Sequence, residues 1–392
     1  MDHKRIDLIR SAFVDLYGIE PEIWAQAPGR ADLLGSHTDY NLGFVLTQAI
    51  DRNTVIAARP RTDKSVRISS INLEGQGDFH LDNIRYEQDH GWSNYVRGVA
   101  NELKNEDFPL AGFDGLIHST IPFGSGLSSS AALEVAVLEL FTHIGNFQIQ
   151  PLEKALICQR AENEFVGMNC GIMDQYSSVM GQQGCALLID CRSLTSEIKT
   201  ISPEIRVMIC DTRAIRELTG SEYSSRRAQC EEGVRVLARY DPQIQSLRDV
   251  SRELLQKYEN ILDPVVYKRC HFVIEENLRV QKISCALEQG DRKMIGQVTE
   301  ESFLGTKDLY QIVTEEMADM YTSIMNAPGT FGARAAGAGF GGCLVSFVDN
   351  NLTEVFSEHV FESYLNATGI EPEIFTVSAA NGSGIADISN GN

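Results

Sequence analysis

The chain is short of basic residues, holding 34 Lys and Arg against 54 Asp and Glu for a net charge of −20. Nucleic acid and anionic membranes both require a basic surface, so neither is an expected partner. No apolar run approaches the roughly 18 residues of a membrane span. The N-terminal MDHKRIDLIRSAFVDLYG reads as an amphipathic helix, with Ile6, Ile9, Phe13 and Leu16 on one face, and lacks the apolar core of a signal peptide. Cysteines are scattered at 158, 170, 185, 191, 210, 230, 270, 285 and 343 without a CxxC pair. That usage belongs to a reducing compartment, and the expected location is the cytoplasm. No internal repeat is visible, and the polar end AANGSGIADISNGN reads as a loosely held terminus.

What is present centres on Pro122 to Leu140, PFGSGLSSSAALEVAVLEL. Small residues (Gly124, Ser125, Gly126) lead through Leu127 to Ser128, Ser129 and Ser130, then to a segment with Leu133, Ala136, Val137 and Leu140 at helical spacing. Glycines permit close backbone approach, and the free N–H groups opening a helix attract an anion. The loop reads either as a phosphate site or as a plain cap and turn. It has no Walker lysine, which argues against a P-loop nucleotidase.

Several other stretches carry polar side chains in apolar surroundings. Trp24 to Asp51 has strand-like ends around Arg30, Asp32, Ser36, His37, Asp39, Tyr40 and Asn41, either a solvated loop or a packed one that binds a polyol. Strands are expected at Thr54–Arg59, Ser65–Ser69 and Gly77–Leu81 in an antiparallel sheet, then a helix at Asn94–Lys104 and a strand at Gly112–Ser119. Leu152 to Gly167 is helical with Glu162 near its end, and Asp174 follows as an isolated acid, a helix cap or a functional carboxylate. Strands at Cys185–Asp190 and Arg206–Cys210 bracket a domain boundary near 195–205, giving domains 1–200 and 201–392. Beyond it, the loop residues after Asp211 lead into a charged helix whose Arg226, Arg227, Glu231 and Glu232 read as a solvated face. Long helices over Val265–Gln289 and Arg292–Asn326 follow. Phe331 to Val348, FGARAAGAGFGGCLVSFV, carries glycines either for backbone packing or for approach to a phosphate.

Taken together, PGRADLLGSHTDYNLG, PFGSGLSSSAALE and GAGFGGC resemble the three motifs of the GHMP small-molecule kinases, most closely the galactokinase branch. QRAENEFVGMNCGIMDQ, WSNYVRGV and SEYSSRRAQCE extend the resemblance over nearly the whole chain. It implies a mixed α/β (α+β) two-domain fold with the active site in the interdomain cleft, using ATP and Mg²⁺. It further implies Asp174 as general base for a sugar's anomeric hydroxyl, Arg30 facing it, and Ser128 and Glu162 as Mg²⁺ ligands. Gly124 to Ser130 match the triphosphate loop, and His37, Asp39, Gly171 and Tyr223 the sugar contacts. The chemistry suits these types: a carboxylate accepts the hydroxyl proton, an arginine keeps it ionised, and Mg²⁺ takes oxygen ligands.

Two positions depart from the branch. Ser36 stands where galactokinases usually carry a glutamate associated with the C6 hydroxyl, and Thr47 where proline is common. Loss of that charge makes galacturonate an alternative to D-galactose, with L-arabinose also open. Other expectations are a monomer or weak homo-oligomer and, as a different class, a non-catalytic sugar and ATP sensor or a kinase for mevalonate or homoserine.

Overall fold

The computed structural model describes residues 1–214 and 220–388. Two sheets organise it. The first takes β1 (Ile23–Leu34), β2 (Phe44–Pro60), β3 (Ser65–Ser70), β4 (Phe79–His80), β5 (Phe113–Ser119), β6 (Cys185–Asp190) and β7 (Thr195–Thr200). The second is antiparallel and takes β8 (Ile205–Asp211), β9 (Thr330–Ala335), β10 (Cys343–Asp349) and β11 (Glu373–Val377) in the order β11-β8-β10-β9. A short β12 (Gly384–Ile385) returns to the first sheet, giving β12-β1-β2-β5-β3-β4 with β6 and β7 attached beside β2. The tail expected to hang loose is therefore pinned as far as Ile388: Gly384 pairs with Gln26, and Ser383 donates to Glu139 at 2.7 Å. Its last four positions, and residues 215–219 before the charged helix, lie outside the described residues.

The helices are α1 (His3–Tyr17), α2 (Ser93–Asn105), α3 (Ser129–Ile144), α4 (Pro151–Arg160), α5 (Met173–Met180), α6 (Gly220–Leu237), α7 (Arg252–Lys257), α8 (Pro264–Gln289), α9 (Arg292–Leu304), α10 (Glu315–Met325) and α11 (Thr353–Thr368). Asp2 caps α1, which lays Ile6, Ile9 and Phe13 against Trp24, Val55 and Leu116 on one side of the first sheet, while Leu16 is exposed. On the other side α2, α3 and α4 bury a core around Ile56, Ile68, Phe113 and Phe141. The expected single apolar face of α3 is an underestimate, because every residue from Ala131 to Phe141 is buried. A helix enclosed on all sides holds its N-terminus rigidly.

The sheet is mixed rather than antiparallel throughout, since β3 runs parallel to β5. The edge strand β7 has no sequence signal because all six residues are exposed or half-buried. The long helix expected over Arg292–Asn326 is interrupted after α9 by a π-helical turn, Gly305–Tyr310, and resumes as α10. Arg226 is not on a solvated face. It is buried and donates to the carbonyls of Tyr310 and Gln311, whereas Arg227 and Glu231 form the expected surface pair. One core joins the two sheets, with Leu33 and Leu46 from the first meeting Val207, Val345 and Phe347 from the second and Val280 and Ile283 from α8.

Candidate active site

The site is built where β1, α3 and α5 converge. The β1–β2 ladder shifts register between Pro28 and Arg30 and again between Asp32 and Leu34, so Arg30 lies between two irregularities. Such breaks re-aim a strand's side chains. Ser177 on α5 donates to Thr47 Oγ1 of β2 at 3.1 Å, and Ser178 donates to the Pro28 carbonyl at 2.7 Å. Thr47, buried and also bonded to the Ala31 carbonyl at 3.2 Å, thus ties α5 to the strand that carries Arg30.

Asp174 occupies the first turn of α5 and does not cap it, since Ile172 holds the N-cap position. Arg30 Nε and Nη2 stand 2.9 and 2.7 Å from Asp174 Oδ1, and Ser128 Oγ donates to Oδ2 at 2.6 Å. Arg30 Nη1 donates to the Gly126 carbonyl at 2.6 Å, so one guanidinium holds both the carboxylate and the loop. Burial draws the Arg30 guanidinium down, but the charges of Asp174 and Asp32 outweigh it and leave it above its ordinary value. Side-chain exposure is 4% for Arg30 and 25% for Asp174, so the carboxylate faces open space from an enclosed counter-ion.

The loop before α3 turns through positive φ at Gly124 (75°), Gly126 (84°) and Ser128 (61°). Ser128 to Ser130 open the helix beside a cavity of about 160 Å³. Leu127 is buried yet also lines this cavity, and Ser125 turns inward to donate to the Pro122 carbonyl at 2.8 Å and so supports the loop. The second glycine-rich stretch packs onto it: Cys343 N–H donates to the Ser125 carbonyl at 3.1 Å, and a Cβ on Gly342 (φ 88°) would lie 2.9 Å from that oxygen. The stretch packs backbone on backbone, and Gly337 and Ala338 also line the cavity.

A second cavity, about 250 Å³, gathers Ser36, His37, Asp39, Gly171, Tyr223 and Glu162. Arg30, Asp174, Gly337 and Ala338 line both cavities and form their common wall. His37, at φ 65°, stacks near Tyr223 with ring centroids 5.4 Å apart and bonds through Nδ1 to Tyr40 OH at 2.8 Å, which in turn meets Tyr310 OH at 2.7 Å. Burial lowers the His37 pKa to about 3, so the ring is neutral. Asp39 is pushed up to about 6, first by burial and then by the charge of Asp174. A Cβ at Gly171 would lie 1.8 Å from Asp39 Oδ2, so a side chain there would displace the Asp39 carboxylate. Met168, Cys170 and Met173 complete the wall; as isolated apolar or thiol side chains they carry no pattern a sequence reading can find.

Glu162 sits on a π-helical turn, Ala161–Val166, a distortion frequent at functional sites. Its Oε2 accepts from Gln175 at 2.6 Å, and Gln175 also reaches Glu134 at 3.1 Å. Burial, then the charge of Asp174, pushes Glu162 up to about 7, and Glu134 is raised by burial and by Glu162. Glu134 Oε1 has no hydrogen-bond partner. Buried, mutually repelling carboxylates fit a hard divalent cation. Among the described residues no three His, Cys, Asp or Glu side chains gather as a metal cage.

Residues 94–182 match the GHMP kinases N-terminal domain and residues 11–60 the galactokinase galactose-binding signature. A galactokinase of Roseiflexus sp. (strain RS-1) is 42% identical over 376 residues, 96% of this chain and 96% of its own. The chain belongs to the galactokinase family. A second galactokinase, from Chloroflexus aurantiacus, is also 42% identical, over 95% of this chain and 96% of its own. The crystal structure of Lactococcus lactis galactokinase complexed with galactose has a TM-score of 0.92 at 31% identity, covering 97% of this chain and 99% of that one. A mevalonate kinase, 17% identical with a TM-score of 0.62, shares the fold alone. As a galactokinase-family member the chain is a sugar kinase, a phosphotransferase with the two-domain GHMP fold.

Proposed function

We propose that this kinase transfers the γ-phosphoryl group of ATP to the anomeric (C1) hydroxyl of D-galactose, giving galactose 1-phosphate and ADP. The observation that carries this reading is the Asp174 carboxylate, held by Arg30 and Ser128 in the wall shared by the two cavities. The sugar occupies the larger cavity, with His37, Asp39, Gly171 and Tyr223 around it and its C6 hydroxyl toward Ser36. The triphosphate lies along Gly124 to Ser130, against the free N–H groups that open α3. A further cavity past Gly124, bounded by Phe123, Asp211 and Arg213, accommodates the rest of the nucleotide.

Asp174 takes the C1 hydroxyl proton as the oxygen–phosphorus bond forms and the bond to the β-phosphate oxygen breaks. Arg30 keeps the carboxylate ionised and offsets charge on the phosphoryl group in transit. Glu162 and Ser128 would hold Mg²⁺, which when bound would neutralise phosphate charge. The division of the chain near residue 200 belongs to the same reading, supported by the change from β7 to β8, with β12 returning to the first half. A cytoplasmic location is supported by the scattered cysteine usage, with no disulfide among the described residues. Among the described residues no helix is long and apolar enough to cross a membrane.

The test is ADP release with Mg-ATP and matched D-galactose, D-galacturonate, L-arabinose, N-acetylgalactosamine and D-glucose. Galactose should dominate kcat/KM. Release that no sugar stimulates would sink the reading.

A further inference from the structure

Behind the sugar cavity lies a set of charges with no exposure to solvent. Asp32, Arg334 and Glu276 are each fully buried, and Arg279 is nearly so. Arg334 Nη1 lies 3.1 Å from Asp32 Oδ2 and donates to the Asp32 carbonyl at 2.9 Å. Its Nη2 donates to Ser36 Oγ at 2.5 Å and stands 3.7 Å from Glu276 Oε1, while Glu276 Oε2 takes Arg279 Nε at 2.8 Å. Ser36 Oγ in turn donates to Asp32 Oδ2 at 2.5 Å. Of these residues only Ser36 lines the cavity.

The expectation that position 36 is free of negative charge is therefore not met, since the Asp32 carboxylate stands directly behind it. A hydroxyl has one proton and two lone pairs. The Ser36 proton goes to Asp32, and one lone pair accepts from Arg334. What remains for the cavity is a lone pair, so Ser36 meets the ligand as an acceptor only.

We propose that Asp32 and Arg334 are positioning residues that fix Ser36 as a hydrogen-bond acceptor, so that the Asp32–Ser36 pair together performs the role of a single carboxylate and selects a sugar hydroxyl over a sugar carboxylate. An acceptor backed by a carboxylate pairs with the proton of a C6 hydroxyl. It offers a uronate oxygen no proton, and the Arg334 charge that could attract a uronate is already paired with Asp32. The pair is complete as it stands, so a glutamate at position 36 crowds a second carboxylate against Asp32 in a buried site. Removing the charge at Asp32 at the same time relieves it. This inference rests on the galactose reading above, with C6 toward Ser36.

The test is a double-mutant cycle of Asp32→Asn and Ser36→Glu, with Ser36→Ala as the conservative variant. KM and kcat are read for D-galactose, 6-deoxy-D-galactose and D-galacturonate, alongside the melting midpoint. Wild type should prefer galactose to both other sugars. Ser36→Ala should melt somewhat lower but remain folded, raise KM for galactose about tenfold and lose most discrimination against the 6-deoxy sugar, because a site built to bond a hydroxyl rejects the analogue that lacks it. Ser36→Glu should melt lower and bind galactose poorly, and the double variant should recover both KM and melting midpoint, a coupling expected only of residues in one network. Galactose preferred but with additive Asp32 and Ser36 effects overturns this inference alone, whereas a preference for galacturonate removes the choice of galactose with it. Absence of turnover with any sugar removes it together with the functional reading.

Discussion

Ser128 reaches Asp174 from a backbone conformation that a serine rarely adopts: at φ 61° its hydroxyl lies 2.6 Å from Asp174 Oδ2. A left-handed non-glycine residue costs about 1–3 kcal/mol. Here the cost places one hydroxyl against the carboxylate and the α3 N-terminus together. Ser128→Ala keeps the backbone cost and loses the bond to a charged acceptor, worth about 1.5–3 kcal/mol. Expected is a fall in kcat of roughly 10- to 100-fold, read by single-turnover ADP formation. A variant within twofold of wild type (roughly 0.4 kcal/mol) would place the hydroxyl outside the reaction.

Asp174→Asn preserves shape and removes the proton acceptor. General-base catalysis contributes about 10²- to 10⁴-fold, and kcat should fall within that range. Nucleotide affinity, measured by titration calorimetry, should stay within a few-fold of wild type because the loop's own groups are untouched.

A pH dependence follows from Asp39. Its carboxyl sits at about 6 through burial and then through the charge of Asp174. A raised folded-state value means that the folded protein binds this proton more readily than the unfolded chain. The stabilisation is complete below the ordinary carboxylate range and is lost as pH rises through about 6. Sugar binding runs the other way, since the ionised form is the better hydroxyl acceptor, so KM for galactose should fall as pH rises through the same value. Asp39→Asn should remove the trend in KM and weaken the melting trend between pH 5 and 8 (roughly the range astride its titration), the remainder coming from Glu162, which burial holds at about 7. His37, held at about 3 by burial, stays neutral throughout and contributes to neither.

Gly342→Ala should act on the nucleotide rather than the sugar. At φ 88° an alanine is strained by about 1–2 kcal/mol, and its Cβ meets the Ser125 carbonyl at 2.9 Å. The phosphate loop must move to make room. KM for ATP should rise about tenfold, equivalent to ~1.4 kcal/mol, with KM for galactose little changed and a melting midpoint lowered by a few degrees. Equal effects on both substrates would point to general unfolding instead.

The elements with local periodicity were legible in the sequence: α1, α2, α3, β5, β6 and β8 fall within a few residues of expectation. Arg30, Ser36, His37, Asp39 and Asp174 were legible as polar residues among apolar or glycine neighbours, whereas Gly171 and Tyr223 were legible only through the family resemblance; the five expected sugar contacts line one cavity. What stayed hidden depends on contacts between distant segments. Arg226 reads as surface because its charge pattern is that of a surface helix, yet the Tyr310 and Gln311 carbonyls, left open after a π-helical turn, draw it inward. Arg334 sits among glycines and alanines and shows its meaning only once β9 brings it to Asp32 and Ser36. The π turn at Glu162 continues an α-helical pattern and leaves no mark on spacing.

The pairing of β12 with β1 sets an order on biosynthesis. Ala25 and Gln26 meet Ile385 and Gly384, so the strand that carries Arg30 gains its outer neighbour only after every other strand of both sheets has been made. Pairings between residues so distant along the chain form slowly. Until they do, one edge of the first sheet is left open on a chain emerging from the ribosome, and an open strand edge invites pairing with another chain. The acidic surface, at a net charge of −20, acts against such encounters by making nascent copies repel one another.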